Sequence, residues 1–133
     1  MSAPMPYLLF PGNAAEALRH YQSVFGGALQ LRDYAQAGRH DGPGDAIAHG
    51  QLSGPVALAG ADAGVDDDAV QMNGMFLSLL GTADAVTLTG WFDALADGGR
   101  VIDALQKRPW GDFDGTLSDR YGIRWLVGFR LED

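Results

Sequence analysis

Cysteine is absent from all 133 residues, so disulfides, thiolate nucleophiles and every zinc or iron–sulfur site that relies on sulfur ligands are excluded. Positive charge is scarce. Lys and Arg number 9 against 17 Asp and Glu, a formal net charge of −8, and with no basic stripe to offset it the chain repels phosphate backbones and anionic lipid. Long apolar runs are missing too: no stretch approaches the roughly 18 residues that a membrane span needs. Residues Met1 to Pro6 also lack a basic region leading into an apolar one. These absences point away from nucleic acid, membranes and secretion, and towards a cytoplasmic protein. What remains is an ordinary globular composition, 47% hydrophobic and 20% charged, with 19 Gly to serve turns and close backbone approaches. A chain of this length buries roughly two-thirds of its unfolded surface, enough for one domain spanning 1–133.

The hydrophobic pattern divides the chain into two similar halves. Met5 to Phe10 is a short apolar run closed by Pro11-Gly12, which suits a buried strand entering a turn. Asn13 and Glu16 have the spacing of a capping box, so a helix is expected from there to about Phe25. Ala14, Ala17, Leu18, Tyr21, Val24 and Phe25 give it one apolar stripe, and Gly26-Gly27 stops it. Three strands follow, over about Ala28–Tyr34, Ala46–Leu52 and Val56–Ala61, the last two forming a hairpin around Ser53-Gly54-Pro55. An acidic stretch, Asp66-Asp67-Asp68, reads as an exposed linker, because it lacks the alternating spacing and distal Glu of a calcium loop.

The order then repeats. Asn73 to Leu80 forms a second apolar strand, and Thr82 is placed to cap a helix whose Ala85, Leu88, Trp91, Phe92 and Leu95 share a face. Asp97-Gly98-Gly99 stops that helix, and strands are expected over Arg100–Leu105, Phe113–Asp119 and Arg124–Leu131. The reading is α+β: two tandem βαβββ units, about 5–62 and 72–132, with mixed sheets curled into a cup so that each copy covers apolar edges of the other.

The opening Pro6-Tyr7-Leu8-Leu9-Phe10, Gly12-Asn13-Ala14, Glu16-Ala17, Tyr21 and Val24-Phe25-Gly26-Gly27 resembles the signature of the PhnB-like family. So does the closing set of Leu95, Asp97-Gly98-Gly99, Trp110-Gly111, Asp119-Arg120-Tyr121-Gly122 and Trp125. That family is a branch of the glyoxalase/bleomycin-resistance/dioxygenase (vicinal oxygen chelate) superfamily. The resemblance implies the cupped βαβββ fold, a small-molecule ligand and pairing into a homodimer. Some family members carry the label 3-demethylubiquinone 3-methyltransferase. Methyl transfer from S-adenosylmethionine normally calls for a Gly-rich loop after the first strand of a doubly wound parallel sheet, and neither is expected here.

The resemblance also implies where a divalent metal would sit: on first and third or last strands of each unit, on His, Glu or Gln. Such ions need several converging O or N donors. The first strand, Met5 to Phe10, offers Leu8 and no His, Glu or Gln. The third strand offers His49, with Gln51 two residues on and on the same face. The second unit offers Met75 and Leu126. The expectation is therefore a ligand-binding cup without a complete metal site and with no cofactor. The alternative is a metal-dependent lyase, isomerase or dioxygenase of glyoxalase type.

His49 is the best candidate for acid–base chemistry or a residual metal ligand, although a hydrogen-bonded histidine lining a cavity is the favoured reading. Gln51, Trp110, Trp125 and Tyr7 complete the candidate ligand-binding set. Trp110, Phe113, Trp125 and Tyr7 suit either an aromatic wall for a planar ligand or ordinary core filling. Asp112, Asp114, Asp119 and Arg120 read as a solvated hairpin with surface ion pairs. His20 and His40 read as surface residues. No Ser-His-Asp order, P-loop or His-Glu-x-x-His stretch occurs.

Overall fold

The computed structural model describes residues 3–131, which divide into two compact units between Val70 and Gln71. The first runs β1 (Tyr7–Phe10), α1 (Ala14–Phe25), β2 (Ala28–Asp33), β3 (Ile47–Ser53) and β4 (Leu58–Asp62). The second repeats the order with β5 (Leu77–Leu80), α2 (Ala85–Ala96), β6 (Arg100–Lys107), β7 (Asp112–Ser118) and β8 (Arg124–Arg130). Each unit has one four-stranded mixed sheet, ordered β1-β4-β3-β2 in the first and β5-β8-β7-β6 in the second. The first strand lies parallel to the last, and the other pairs are antiparallel. The architecture is α+β with tandem βαβββ units, as the hydrophobic pattern predicts.

In the first unit, alternation along the strands sends Leu8, Phe10, Leu52 and Leu58 into the core. There they meet the apolar stripe of α1, where Ala14, Ala17, Leu18, Tyr21 and Phe25 are buried. The helix rides close to the sheet because glycines occupy the paired positions Gly50 and Gly60. A Cβ at Gly50 would stand 2.5 Å from Leu18 Cδ1, and one at Gly60 would stand 2.5 Å from the Leu8 carbonyl oxygen. Gly26, with φ of 77°, ends the helix in the left-handed conformation that glycine adopts without strain.

The expected capping box does not form. Asn13 has φ −121° and ψ 29°, outside the extended cap geometry, and its side chain makes no cap hydrogen bond. The helix start is instead served from across the fold. Asp62, 8% exposed at the end of β4, accepts from the Ala14 N–H at 2.9 Å through Oδ1 and from the Ile47 N–H at 2.7 Å through Oδ2. One carboxylate thus ties the first turn of α1 to the start of β3 and meets the charge preference of a helix N-terminus.

The second unit buries Leu77, Leu79, Leu117, Trp125 and Val127 together with Leu88, Trp91, Phe92 and Leu95 of α2. Thr82 is not the cap. Asp84, extended at φ −72° and ψ 167°, accepts from the Thr87 N–H at 2.8 Å. The strand expected from Asn73 begins only at Leu77, because Gly74 turns the chain with φ of 66°. Asp119, expected on a solvated hairpin, is 4% exposed and accepts from the N–H groups of Tyr121 and Ile123. The other charges of that region do pair at the surface, as Asp112 with Arg130 and Arg120 with Asp97. Neither α1 nor α2, at 12 residues each, is long and apolar enough to cross a membrane.

Candidate functional site

The sheet of the first unit has one face under α1 and one face away from it. Register defines the second face. Tyr7, Ala59, Gln51 and Gln30 pair across β1, β4, β3 and β2 as one row. Two residues along each strand stand Leu9 paired with Ala61, and His49 paired with Arg32. Residues two apart on a strand share a side, so all eight positions belong to one face.

Two of these side chains meet directly. The Tyr7 hydroxyl lies 3.0 Å from His49 Nδ1, and the two rings stack with centroids 5.6 Å apart and an interplanar angle of 26°. The intervening strand β4 presents only the methyl groups of Ala59 and Ala61, which leaves the space across which the pair meets. Partial burial raises the Tyr7 pKa by desolvation and keeps the phenol protonated around neutrality. The tautomer of the imidazole sets the direction of this bond: the phenol O–H donates to a bare Nδ1, or an Nδ1–H donates to the phenol oxygen. His49 is exposed beside a cavity of about 450 Å³ bounded by Gln30, Leu31, Arg32 and His49.

Of the residues singled out from the sequence, Tyr7, His49 and Gln51 come together on this face. Trp125 does not join them: it is 1% exposed, in register with buried Leu77 and Leu117, and its indole N–H donates to Asp119 Oδ2 at 2.9 Å. It is a core residue of the second unit. Trp110 is 67% exposed in the β6–β7 turn and, with Phe113 and Leu131, borders a cavity of about 410 Å³. Phe113 stacks on Phe129 at 5.2 Å, so an aromatic wall uniting Trp110 and Phe113 with Trp125 is not formed. Gln30 and Arg32 were not expected at the site, although the alternation Leu29, Gln30, Leu31, Arg32 carries the signal that both share a polar side.

A second concavity lies at the ends of β1 and β4, with a volume of about 670 Å³ and with Asn13, Glu16, Arg19, Tyr34 and Asp45 among its lining residues. The Oδ1 atom of Asn13 is buried there without a hydrogen-bond partner among the described residues. No sequence motif announced it, because its walls come from the start of α1 and from separate segments around Tyr34, Asp45 and Asp62.

The donor set fits a divalent metal poorly. On the open face His49, Gln51 and Gln30 could ligate, but the β1 and β4 positions hold Leu9, Ala59 and Ala61. In the second unit Met75 precedes β5 at 54% exposure, and Leu126 pairs with Ser78 and Thr116. No three His, Cys, Asp or Glu gather among the described residues.

Comparison with known proteins places this geometry in context. Residues 5–127 match the family described as Glyoxalase/Bleomycin resistance protein/Dioxygenase superfamily. Protein YjdN of Escherichia coli K12 is 27% identical over 138 residues, covering 92% of this chain and 91% of its own length. The crystal structure of protein PA1353 from Pseudomonas aeruginosa superposes with a TM-score of 0.82 at 29% identity, covering 99% of this chain and 100% of that one. The PhnB protein from Bacillus cereus shares the fold, with a TM-score of 0.78 at 21% identity over 96% of this chain and 99% of that one.

Proposed function

For a chain that belongs to the Glyoxalase/Bleomycin resistance protein/Dioxygenase superfamily, we propose a role as a small-molecule-binding protein of PhnB-like type that works without a complete catalytic metal site. The ligand lies on the open face of the first unit, against Tyr7, His49 and Gln51. The observation that carries this reading is the Tyr7–His49 pair: a hydrogen-bonded, stacked phenol and imidazole held at an exposed position beside a cavity. A pocket lined with aromatic surface and a few fixed polar groups is the usual form of a small-ligand site. The Trp110 surface is a second, separate place where a planar group could rest. Methyl transfer is not part of the proposal, since neither four-stranded mixed sheet has doubly wound parallel order.

A ligand screen by thermal shift, run with and without Zn, Ni, Mn or Fe and paired with metal analysis of protein purified without chelator, tests the reading. The expected result is a ligand-induced rise in Tm that persists in chelator and is lost in His49→Ala. Stoichiometric metal bound through His49 would replace the proposal with the second reading, a metal-dependent lyase, isomerase or dioxygenase, in which the ion polarises an oxygen of the substrate. We further propose that the two units form one domain, that the protein is cytoplasmic, and that it pairs as a homodimer. Light scattering that found only a monomer-sized species would remove the homodimer.

A further inference from the structure

We propose that the ligand of the open face carries an oxyanion, a carboxylate or phosphate-type group, and that Arg32 receives it. The inference rests on the reading of this face as a binding site and adds the chemical class of what binds. Its first support is the donor balance. The polar side chains that register places on the face are Tyr7, Gln30, Arg32, His49 and Gln51, each able to donate a hydrogen bond, and no carboxylate stands among them. Asp33, the next residue along β2, accepts from the Gln36 N–H in the following turn.

The second support is the state of Arg32 in an acidic chain. Acidic residues outnumber basic ones 17 to 9, and Arg39, Arg108, Arg120 and Arg130 each hold an aspartate. Arg32 forms no ion pair among the described residues, and it is exposed in register with His49. An unneutralised guanidinium there offers the planar fork that carboxylate and phosphate oxygens match bidentately. The third support is the space: a cavity of about 450 Å³ is lined by Arg32 and His49 together with Gln30 and Leu31. A ligand lying in it meets the guanidinium and the His49 ring together. The general field of a chain at −8 disfavours anions, so the site selects small anions able to reach Arg32 rather than polyanions.

The test is two-dimensional NMR titration of the full chain with benzoate, inorganic phosphate and, as the uncharged counterpart of benzoate, benzamide. His49 ring signals and the β2 and β3 amides are the reporters. Arg32→Gln and Arg32→Lys are compared with the parent, and far-UV circular dichroism confirms that each is folded. Benzoate or phosphate should bind at least tenfold more tightly than benzamide. Arg32→Gln should abolish that preference, bringing benzoate and phosphate down to the affinity of benzamide for the same variant, and Arg32→Lys should retain part of it. Saturation by benzoate without phosphate identifies a carboxylate ligand, and the converse a phosphate-type one. Benzamide binding at His49 with equal or greater affinity than the anions overturns the oxyanion inference and leaves the binding face intact. Anion binding by Arg32→Gln as tight as that of the parent overturns it in the same way. Movement of none of the reporters with any of the three probes overturns both.

Discussion

Removing the Asp62 carboxylate should loosen the first unit at two defined points. In the folded chain its oxygens accept from the Ala14 N–H at 2.9 Å and the Ile47 N–H at 2.7 Å, both in buried hydrogen bonds. Asp62→Ala leaves two buried backbone donors unsatisfied, each worth about 1–3 kcal/mol, so a loss of about 2–6 kcal/mol is expected. At about 3 °C per kcal/mol for a chain of this size, Tm should fall by about 6–18 °C. Asp62→Asn keeps one acceptor oxygen and should lose about half as much. Hydrogen exchange gives the local readout: the amides of Ala14 and Ile47 should lose protection before the rest of the sheet. Because Ile47 opens the strand that carries His49, the Tyr7–His49 contact should weaken in the same variant, visible as a change in the His49 ring signals. A destabilisation under ~0.5 kcal/mol with both amides protected as in the parent would refute the argument, since that is the range of an ordinary surface substitution.

Gly60→Ala should cost about 1–3 kcal/mol in urea unfolding, because the added Cβ meets the Leu8 carbonyl oxygen at 2.5 Å and the Phe10 ring at 3.0 Å, and the backbone of β1 is fixed by its ladder to β4. Trp125→Ala should cost about 3–5 kcal/mol, whereas Trp110→Ala should leave Tm nearly unchanged; the reverse ranking would contradict a buried Trp125 and an exposed Trp110. Asp84 has a carboxyl pKa held below its ordinary 3.8 by the Thr87 hydrogen bond at the start of α2. A depressed folded-state value means that its contribution is present above the unfolded value and is lost as pH falls through the folded one. Asp84→Ala should therefore flatten the decline of stability below about pH 4, and an unaltered acid limb would speak against the cap.

The elements themselves were legible because each rests on a local signal. The stripe of α1 and the Gly26-Gly27 stop define that helix from letters alone, and its observed end at Phe25 agrees. Errors arose where a distant group outcompeted a local one. Asn13 and Glu16 have capping-box spacing, yet the Asp62 carboxylate, 48 positions from Ala14, takes the helix-start donor, and no local periodicity of the chain reaches over that distance. Asp119 misled for the same reason, since its burial follows from the Trp125 indole and the turn amides that fold onto it. At the site, His49 and Gln51 were readable as two residues of one strand face. Their meeting with Tyr7 was not, because it depends on β1 pairing in parallel with β4, so that alanines rather than larger side chains separate β1 from β3.

The two units start from one plan and use their charges differently. On the sheet of the second unit, Asp114 receives Arg108 at 2.7 Å and Asp112 receives Arg130 at 2.7 Å. The β5 and β8 positions corresponding to Tyr7 and Ala59 hold Ser78 and Leu126. Asp114 and Asp112 thus satisfy Arg108 and Arg130, and an ion taken from solution by either guanidinium would first have to break a pair. On the first sheet the phenol, imidazole, amides and guanidinium contain no carboxylate to satisfy them, apart from the single contact between Tyr7 and His49. Duplicated units of equal topology therefore need not carry equal binding capacity. The copy with uncompensated donors gains most from an incoming acceptor, because hydrogen bonds to charged groups are worth about 1.5–3 kcal/mol and here displace only water. By this argument, exchanging Arg32 for a neutral residue should affect ligand binding more than breaking either ion pair of the second unit, because those guanidinium groups already hold their carboxylates at 2.7 Å and have less to offer a ligand.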